Sequence, residues 1–104
     1  MTKVVVTSGI CGFLATIKAE MDQDGKNISI TLETECEMVE KMAEDLASLD
    51  KMSVFTGFLA NPVYRSAATH LRHTACPVPS GIIKALEVEA GFCLPSDVSI
   101  TFVM

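Results

Sequence analysis

The residues whose type and position favour chemistry are cysteines, of which this 104-residue chain has four. Cys76 lies in the stretch 73–81, where Pro77 and Pro79 fix the backbone φ angle and withhold their N–H donors. Because proline suits the first turn of a helix, we expect Cys76 just ahead of a helix N-terminus. Free N–H groups and the positive end of the helix dipole favour the thiolate there, and a thiolate is both a nucleophile and a metal ligand.

Two further cysteines occupy similar positions at the ends of predicted elements. Cys11 lies in the turn 8–12, which has glycines on both sides and follows the predicted first strand. Cys36 lies at the junction between the predicted third strand and a helix. Ends of this kind can meet at one edge of a sheet. Cys93, which has apolar neighbours on both sides, is instead expected to be a buried core residue.

These positions predict a metal site formed by Cys11, Cys36 and Cys76, with His73 or an outside molecule completing the ligand set. Zinc takes four ligands in structural sites, and three with a water molecule in catalytic sites. Iron–sulfur clusters also prefer thiolates. The spacings are wide and include no Cys-x-x-Cys pair, so burial of small thiols in loops and core is the alternative explanation. For His73 the alternative is a favourable interaction with the C-terminal end of a helix dipole.

Two other kinds of function stay open at this point. A persulfide or thiol-transfer protein would act through Cys76 and would need no metal. A non-catalytic interaction module would use the apolar surface near Phe55 and Phe58 for assembly. The chain offers no persuasive Ser-His-Asp set, phosphate-binding glycine loop or pair of carboxylates, so the sequence assigns no enzyme class.

Composition limits the class of protein further. The length predicts a single domain over residues 1–104. A net charge of −5 argues against non-specific nucleic-acid binding, which needs a basic surface. No apolar run approaches the roughly 18 residues of a membrane span, and the amino end does not resemble a signal peptide, so we expect a cytoplasmic protein with reduced thiols. A mean hydropathy of +0.38 in so small a domain favours added stabilisation by a metal or by formation of a homo-oligomer.

The hydrophobic pattern predicts an α+β fold with the element order β-β-β-α-α-α-β. A β-branched run predicts the first strand, and alternating apolar residues predict a hairpin of two more strands around the turn 22–27. Three helical patterns follow, and a final alternation over 98–102 predicts the last strand. We expect a mainly antiparallel sheet of about four strands with the helices on one face. The helical patterns cover 38–49, 62–71 and 82–90.

Several short motifs together resemble a small uncharacterised family of proteins of similar length from anaerobic bacteria and archaea. The resemblance covers almost the whole chain and implies no activity, but it implies an anaerobic cytoplasm in which iron–sulfur chemistry is compatible. The Cys-Pro-x-Pro motif at Cys76 is also similar to that of TusA-like sulfur carriers, whose cysteine carries a persulfide at a helix start. The family-level motifs are Gly9-Ile10-Cys11-Gly12-Phe13, Glu35-Cys36-Glu37, Cys76-Pro77-Val78-Pro79 and Lys84-Ala85-Leu86-Glu87-Val88.

Overall fold

A computed structural model describes residues 1–104 of the protein. The protein has two layers, and the first is a four-stranded antiparallel sheet. Asp24 shapes the turn inside the predicted hairpin by accepting hydrogen bonds from the backbone N–H groups of Lys26 and Asn27, at 2.8 and 3.2 Å. Gly25 provides the positive φ angle of 70° that this turn requires. In chain order, which is also the order across the sheet, the strands are β1 (Thr2–Thr7), β2 (Leu14–Met21), β3 (Asn27–Thr34) and β4 (Leu49–Asp50).

Helices form the second layer and cover one face of the sheet. They are α1 (Glu37–Glu40), α2 (Pro62–His70) and α3 (Val78–Glu89), and 3₁₀ turns cover Gly9–Cys11, Lys41–Glu44 and Lys51–Phe55. Helix α3 packs against β1 and β2, whereas α1 packs against β3. No helix combines the length and the apolar character that crossing a bilayer requires.

The core lies between these two layers. Alternate residues of β2 and β3, such as Ile17 and Ile28, are fully buried, and they meet Ile82 and Leu86 of α3. The opposite face of the sheet is polar, and it carries the ion pair between Lys18 and Glu33 at 3.0 Å. The predicted α+β class, antiparallel sheet and one-sided helical layer are therefore confirmed.

The fourth strand is not the one that the alternation predicted. Residues 98–102 form no strand, and the side chains of Val98, Ile100 and Phe102 are 63, 84 and 91% exposed. Instead β4 completes the sheet, with Leu49 opposite Ile28 of β3. An alternating pattern reports only the suitability of a segment for pairing, whereas a strand also needs a partner edge within reach.

The first helical pattern is also interrupted. Helix α1 ends at Glu40 and continues as a 3₁₀ turn, because the chain must turn back to bring Leu49 beside β3. The apolar stripe nevertheless packs as expected, since Val39, Met42 and Leu46 are almost completely buried. The pattern therefore identified the buried face, although it overestimated the length of the helix.

Candidate metal and thiol site

Two of the three predicted ligands lie at one end of the sheet. The antiparallel register pairs Thr7, the last residue of β1, with Leu14 at the start of β2, and the next residue of β2 pairs with Thr34 at the end of β3. Cys11 ends the 3₁₀ turn that joins β1 to β2. Cys36 is the N-cap residue of α1, two residues beyond β3. The loops that carry these two thiols therefore leave the sheet at the same end.

Helix α3 brings Cys76 to that end as well. Gly81, in the first turns of α3, packs so closely on Val6 that a Cβ atom there would lie 2.5 Å from Val6 Cγ2. At the other end of the helix, Glu89 Oε1 accepts a hydrogen bond from the Thr2 hydroxyl group at 2.8 Å. Helix α3 thus runs antiparallel to β1, with its N-terminus near the end of that strand. Cys76, two residues before α3, lies on the side of the fold where the other two cysteines are found.

Cys76 is half-buried, and its thiol is less acidic than a helix N-terminus alone would make it. Burial raises the pKa of the Cys76 thiol, a hydrogen bond from the backbone N–H of Val78 opposes this effect, and negative charge on Cys36 and Cys11 raises the pKa further. The expectation that this position favours the thiolate was therefore wrong, because burial outweighs the effect of the Val78 N–H. Cys36 and Cys11 are therefore both near enough to Cys76 for their charge to affect its thiol.

The three thiols are nevertheless not arranged around a common metal-binding position in this structure. No group of three or more His, Cys, Asp and Glu side chains lies close enough together to hold a metal ion. Cys11 is exposed, with its Sγ 3.9 Å from the carbonyl oxygen of Ser8. Cys36 and Cys76 are half-buried and pack against the hydrophobic core, and the backbone N–H of Cys36 donates to Thr34 Oγ1 at 3.1 Å. The structure therefore provides two anchored thiols and one thiol on the surface.

The other predicted candidates lie in more open positions. The side chain of His73 is exposed, and its carbonyl oxygen accepts a hydrogen bond from the backbone N–H of Cys76 at 3.1 Å. Cys93 is exposed, so the prediction of a core residue there was wrong. Its apolar neighbour Phe92 packs on Phe55, but Leu94 is 86% exposed and does not cover the thiol.

The comparison with known proteins concerns the whole chain, including this site. A family model described as a family of unknown function (DUF6951) matches residues 2–102. The chain belongs to the DUF6951 family. All four cysteines of this DUF6951 protein lie within the matched residues. No curated protein and no solved structure matches the chain. The predicted resemblance to an uncharacterised family across nearly the full length is confirmed at that level, and membership brings no activity with it.

Sequence reasoning missed a polar cluster that joins the segment after α1 to α2 in this DUF6951 protein. Asp45 Oδ2 accepts a hydrogen bond from the buried Ser66 hydroxyl group at 2.6 Å and lies 3.2 Å from His70 Nε2. The Ser66 hydroxyl is the main cause that lowers the pKa of Asp45, and His70 adds to it. Ser66 and His70 are four residues apart and so share one face of α2, which is a signal in the sequence. The approach of Asp45 depends on tertiary packing and has no such signal.

The DUF6951 chain also has an apolar surface near Phe55 and Phe58, where the sequence predicted a non-catalytic interaction module. Phe55 and Phe58 are 65 and 74% exposed, and Phe58 packs on Tyr64 with ring centroids 5.0 Å apart. A groove of about 280 Å³ is lined by Phe58 together with Lys84 and Glu87 of α3. The use of this surface by a partner stays a prediction, and function that is unchanged in Cys76→Ser would favour it.

Proposed function

We propose that this protein binds a thiophilic metal, either Zn²⁺ or an iron–sulfur cluster, through Cys11, Cys36 and Cys76. One observation carries the proposal: three thiols from three separate elements lie at one end of the sheet, and charge on Cys36 or Cys11 affects the thiol of Cys76. Negative charge on Cys36 or Cys11 disfavours negative charge on the Cys76 sulfur. A bound cation reverses this effect, because coordination favours the deprotonated thiols.

Metal binding to this set requires a movement of Cys11 toward the two anchored thiols. The local backbone suits that movement, since Gly9 and Gly12 flank Cys11 with φ angles of 81° and 72° and no other part of the chain packs against either glycine. Cys36 and Cys76 keep their places because both contact the core. His73, three residues before Cys76, or an outside molecule then supplies the fourth ligand.

Zn²⁺ and an iron–sulfur cluster differ in colour and in composition, so an experiment can distinguish them. An anaerobic cytoplasm, which the motif resemblance implies, is compatible with an iron–sulfur cluster held by thiolates. Zinc bound by the same cysteines would be colourless and would need no inorganic sulfide. Analysis of zinc, iron and sulfide in one sample therefore distinguishes the two forms.

The test uses protein that is purified without oxygen, together with single Cys→Ser variants at positions 11, 36 and 76. The matched control is Cys93→Ser, which removes the fourth and exposed thiol. We expect bound metal in the wild type and in Cys93→Ser, and a large loss in each of the other three variants. Metal-free wild type that also fails to take up Zn²⁺ or to assemble a cluster would overturn the proposal.

A second function rests on the position of Cys76 just before α3. The backbone N–H of Val78 lowers the pKa of the Cys76 thiol, against the larger effect of burial, and the same N–H would also stabilise a persulfide anion at that sulfur. The resemblance to the Cys-Pro-x-Pro motif of TusA-like sulfur carriers points the same way. The raised pKa of Cys76 leaves little thiolate at neutral pH, so we place metal binding first. The test is treatment with an inorganic polysulfide, from which the Cys76 thiolate would take one sulfane sulfur while a shortened polysulfide leaves. An intact mass that gains one sulfur atom in every variant except Cys76→Ala would support the sulfur carrier.

A further inference from the structure

Strand β1 forms an edge of the sheet that nothing protects. It pairs only with β2, and its outer side therefore presents backbone N–H and C=O groups without strand partners. Natural proteins usually protect such edges with proline, bulges or several charges. Strand β1 is six residues long and contains no proline, and its only charged side chain is Lys3.

The core is also left open along this edge. Val4 and Val6 of β1 face α3 but are only partly buried, whereas their partners Ile17 and Ala15 on β2 are 0 and 2% exposed. Gly81 lets α3 approach β1 closely, so the side of the helical layer also reaches this edge. A further strand with apolar side chains on its inner face would cover both valines.

One segment of the chain has the pattern of such a strand and no partner. In residues 98–103, Val98, Ile100 and Phe102 alternate with Ser99 and Thr101, and the segment equals β1 in length. All of it is exposed, and none of the backbone or side-chain hydrogen bonds involves a residue beyond Phe92. Apolar side chains that are 63 to 91% exposed are costly to leave in water, at about 25 cal/mol for each Å².

The segment leaves the fold from the end of α3, which lies near the start of β1 and also contacts the turn after β4. Phe92 packs on Phe55 with ring centroids 4.9 Å apart. Phe55 ends the 3₁₀ turn that directly follows β4, the strand at the opposite edge of the sheet from β1. Residues beyond Phe92 stay exposed and make no hydrogen bond to their own β1, which leaves the β1 edge of a second molecule as the partner for this segment.

We propose that residues 97–103 of one chain add as a strand to β1 of a second copy, and that the second copy returns the same contact. This exchange is isologous and closes as a two-fold dimer without a free β1 edge. Val98, Ile100 and Phe102 would cover Val4 and Val6 of the partner copy. Charge does not oppose the contact, because the segment carries only Asp97 and β1 carries only Lys3.

The test compares two lysine substitutions in the full chain. Sedimentation equilibrium is measured over a range of concentrations for the wild type, for Ile100→Lys on the inner face and for Ser99→Lys on the outer face. We expect twice the chain mass of 11.2 kDa for the wild type and for Ser99→Lys, and a single chain mass for Ile100→Lys. Because Ile100 is 84% exposed within its own chain, the far-ultraviolet circular dichroism of Ile100→Lys should show a folded monomer.

Hydrogen exchange of the wild type identifies the location of the contact. Protection of amides 98–103 and of β1 in the dimer, with both lost in Ile100→Lys, supports the exchange. A monomeric wild type overturns the proposal, and protected amides 98–103 in that monomer would show that the segment pairs within its own chain. A dimer that persists in Ile100→Lys also overturns it, because the interface would then lie elsewhere. No cysteine takes part in this contact, so these outcomes are independent of metal binding.

Discussion

A Cβ atom on Gly81 would lie 2.5 Å from Cγ2 of Val6, so only glycine allows α3 to approach β1 as closely as it does. The Cδ1 atom of Ile17 on β2 is the next neighbour, at 3.2 Å from the same position. This close contact fixes the N-terminal half of α3 against the end of the sheet. The position of Cys76 relative to the other two cysteines therefore depends on a residue that has no side chain.

Replacing Gly81 with alanine should destabilise the fold. The strain of one added methyl group in a tight interface costs about 1–3 kcal/mol, and alanine returns about 1 kcal/mol through its better helix propensity. We expect a lower free energy of unfolding in urea for Gly81→Ala. The matched control is Gly57→Ala, where a Cβ atom would meet nothing within 4 Å and should change stability little. Equal stability of Gly81→Ala and wild type would show that the interface relaxes easily.

The stability of the protein should depend on pH through Glu89. Burial opposes its charged form, but the N–H of Met21, the hydroxyl group of Thr2 and the N-terminal ammonium group outweigh burial and lower the pKa of Glu89 from its ordinary 4.5. A lowered pKa stabilises the fold above the unfolded-state value and loses that stabilisation as pH falls through the folded-state value. Glu89→Gln should therefore be less stable than wild type at neutral pH, with a difference that shrinks in acid.

Thermal unfolding at a series of pH values measures this effect. The control is Glu87→Gln on the same helix, since Glu87 takes part in none of the ion pairs. We expect its unfolding temperature to follow the wild type across the series. A constant gap between Glu89→Gln and wild type down to the lowest pH would contradict the assignment of this pH dependence to Glu89.

Asn61 should be the most sensitive polar residue outside the cysteines. Its side chain accepts a hydrogen bond from the N–H of Val63 at 2.9 Å and donates to the carbonyl oxygens of Ser53 and Thr56, at 2.9 and 3.1 Å. It is 2% exposed, so Asn61→Ala removes a helix cap and two hydrogen bonds that hold the preceding turn, at a cost of about 2 kcal/mol.

Asn61→Asp separates the two roles of this side chain. The carboxylate can still accept the hydrogen bond from Val63 but cannot donate to Ser53 and Thr56. If the donated bonds matter, urea unfolding will show Asn61→Asp well below the wild type, although its helix cap is retained. A stability of Asn61→Asp equal to that of the wild type would assign the whole effect to the cap.

Local signals in the sequence predicted the parts of the fold that local chemistry determines. The turn at Asp24 and Gly25, the start of α2 at Asn61 and Pro62, and the end of α3 at Gly91 all lie where the residue types placed them. The failed expectations depended on distant partners. Whether 98–102 pairs as a strand, and whether Cys93 is buried, is decided by the edge or surface that the segment meets and not by its own residues.

In the candidate site, too, some features follow from the local sequence and others depend on residues that are distant in the chain. The positions of Cys11, Cys36 and Cys76 at the ends of elements could be predicted, because each lies beside glycine, proline or a helix start. The acidity of the Cys76 thiol could not be predicted, because it depends on burial by the folded chain. The contacts of Asp45 and Glu89 also join residues far apart in sequence, and no spacing rule finds them.

Metal analysis of protein purified without oxygen tests the central claim most directly. It compares the wild type with the triple variant Cys11→Ser, Cys36→Ser, Cys76→Ser, and with Cys93→Ser as the control. The proposed site predicts zinc, or iron with inorganic sulfide, in the wild type and in Cys93→Ser, and neither in the triple variant. A wild type without metal, or a triple variant that retains as much metal as the wild type, would contradict it.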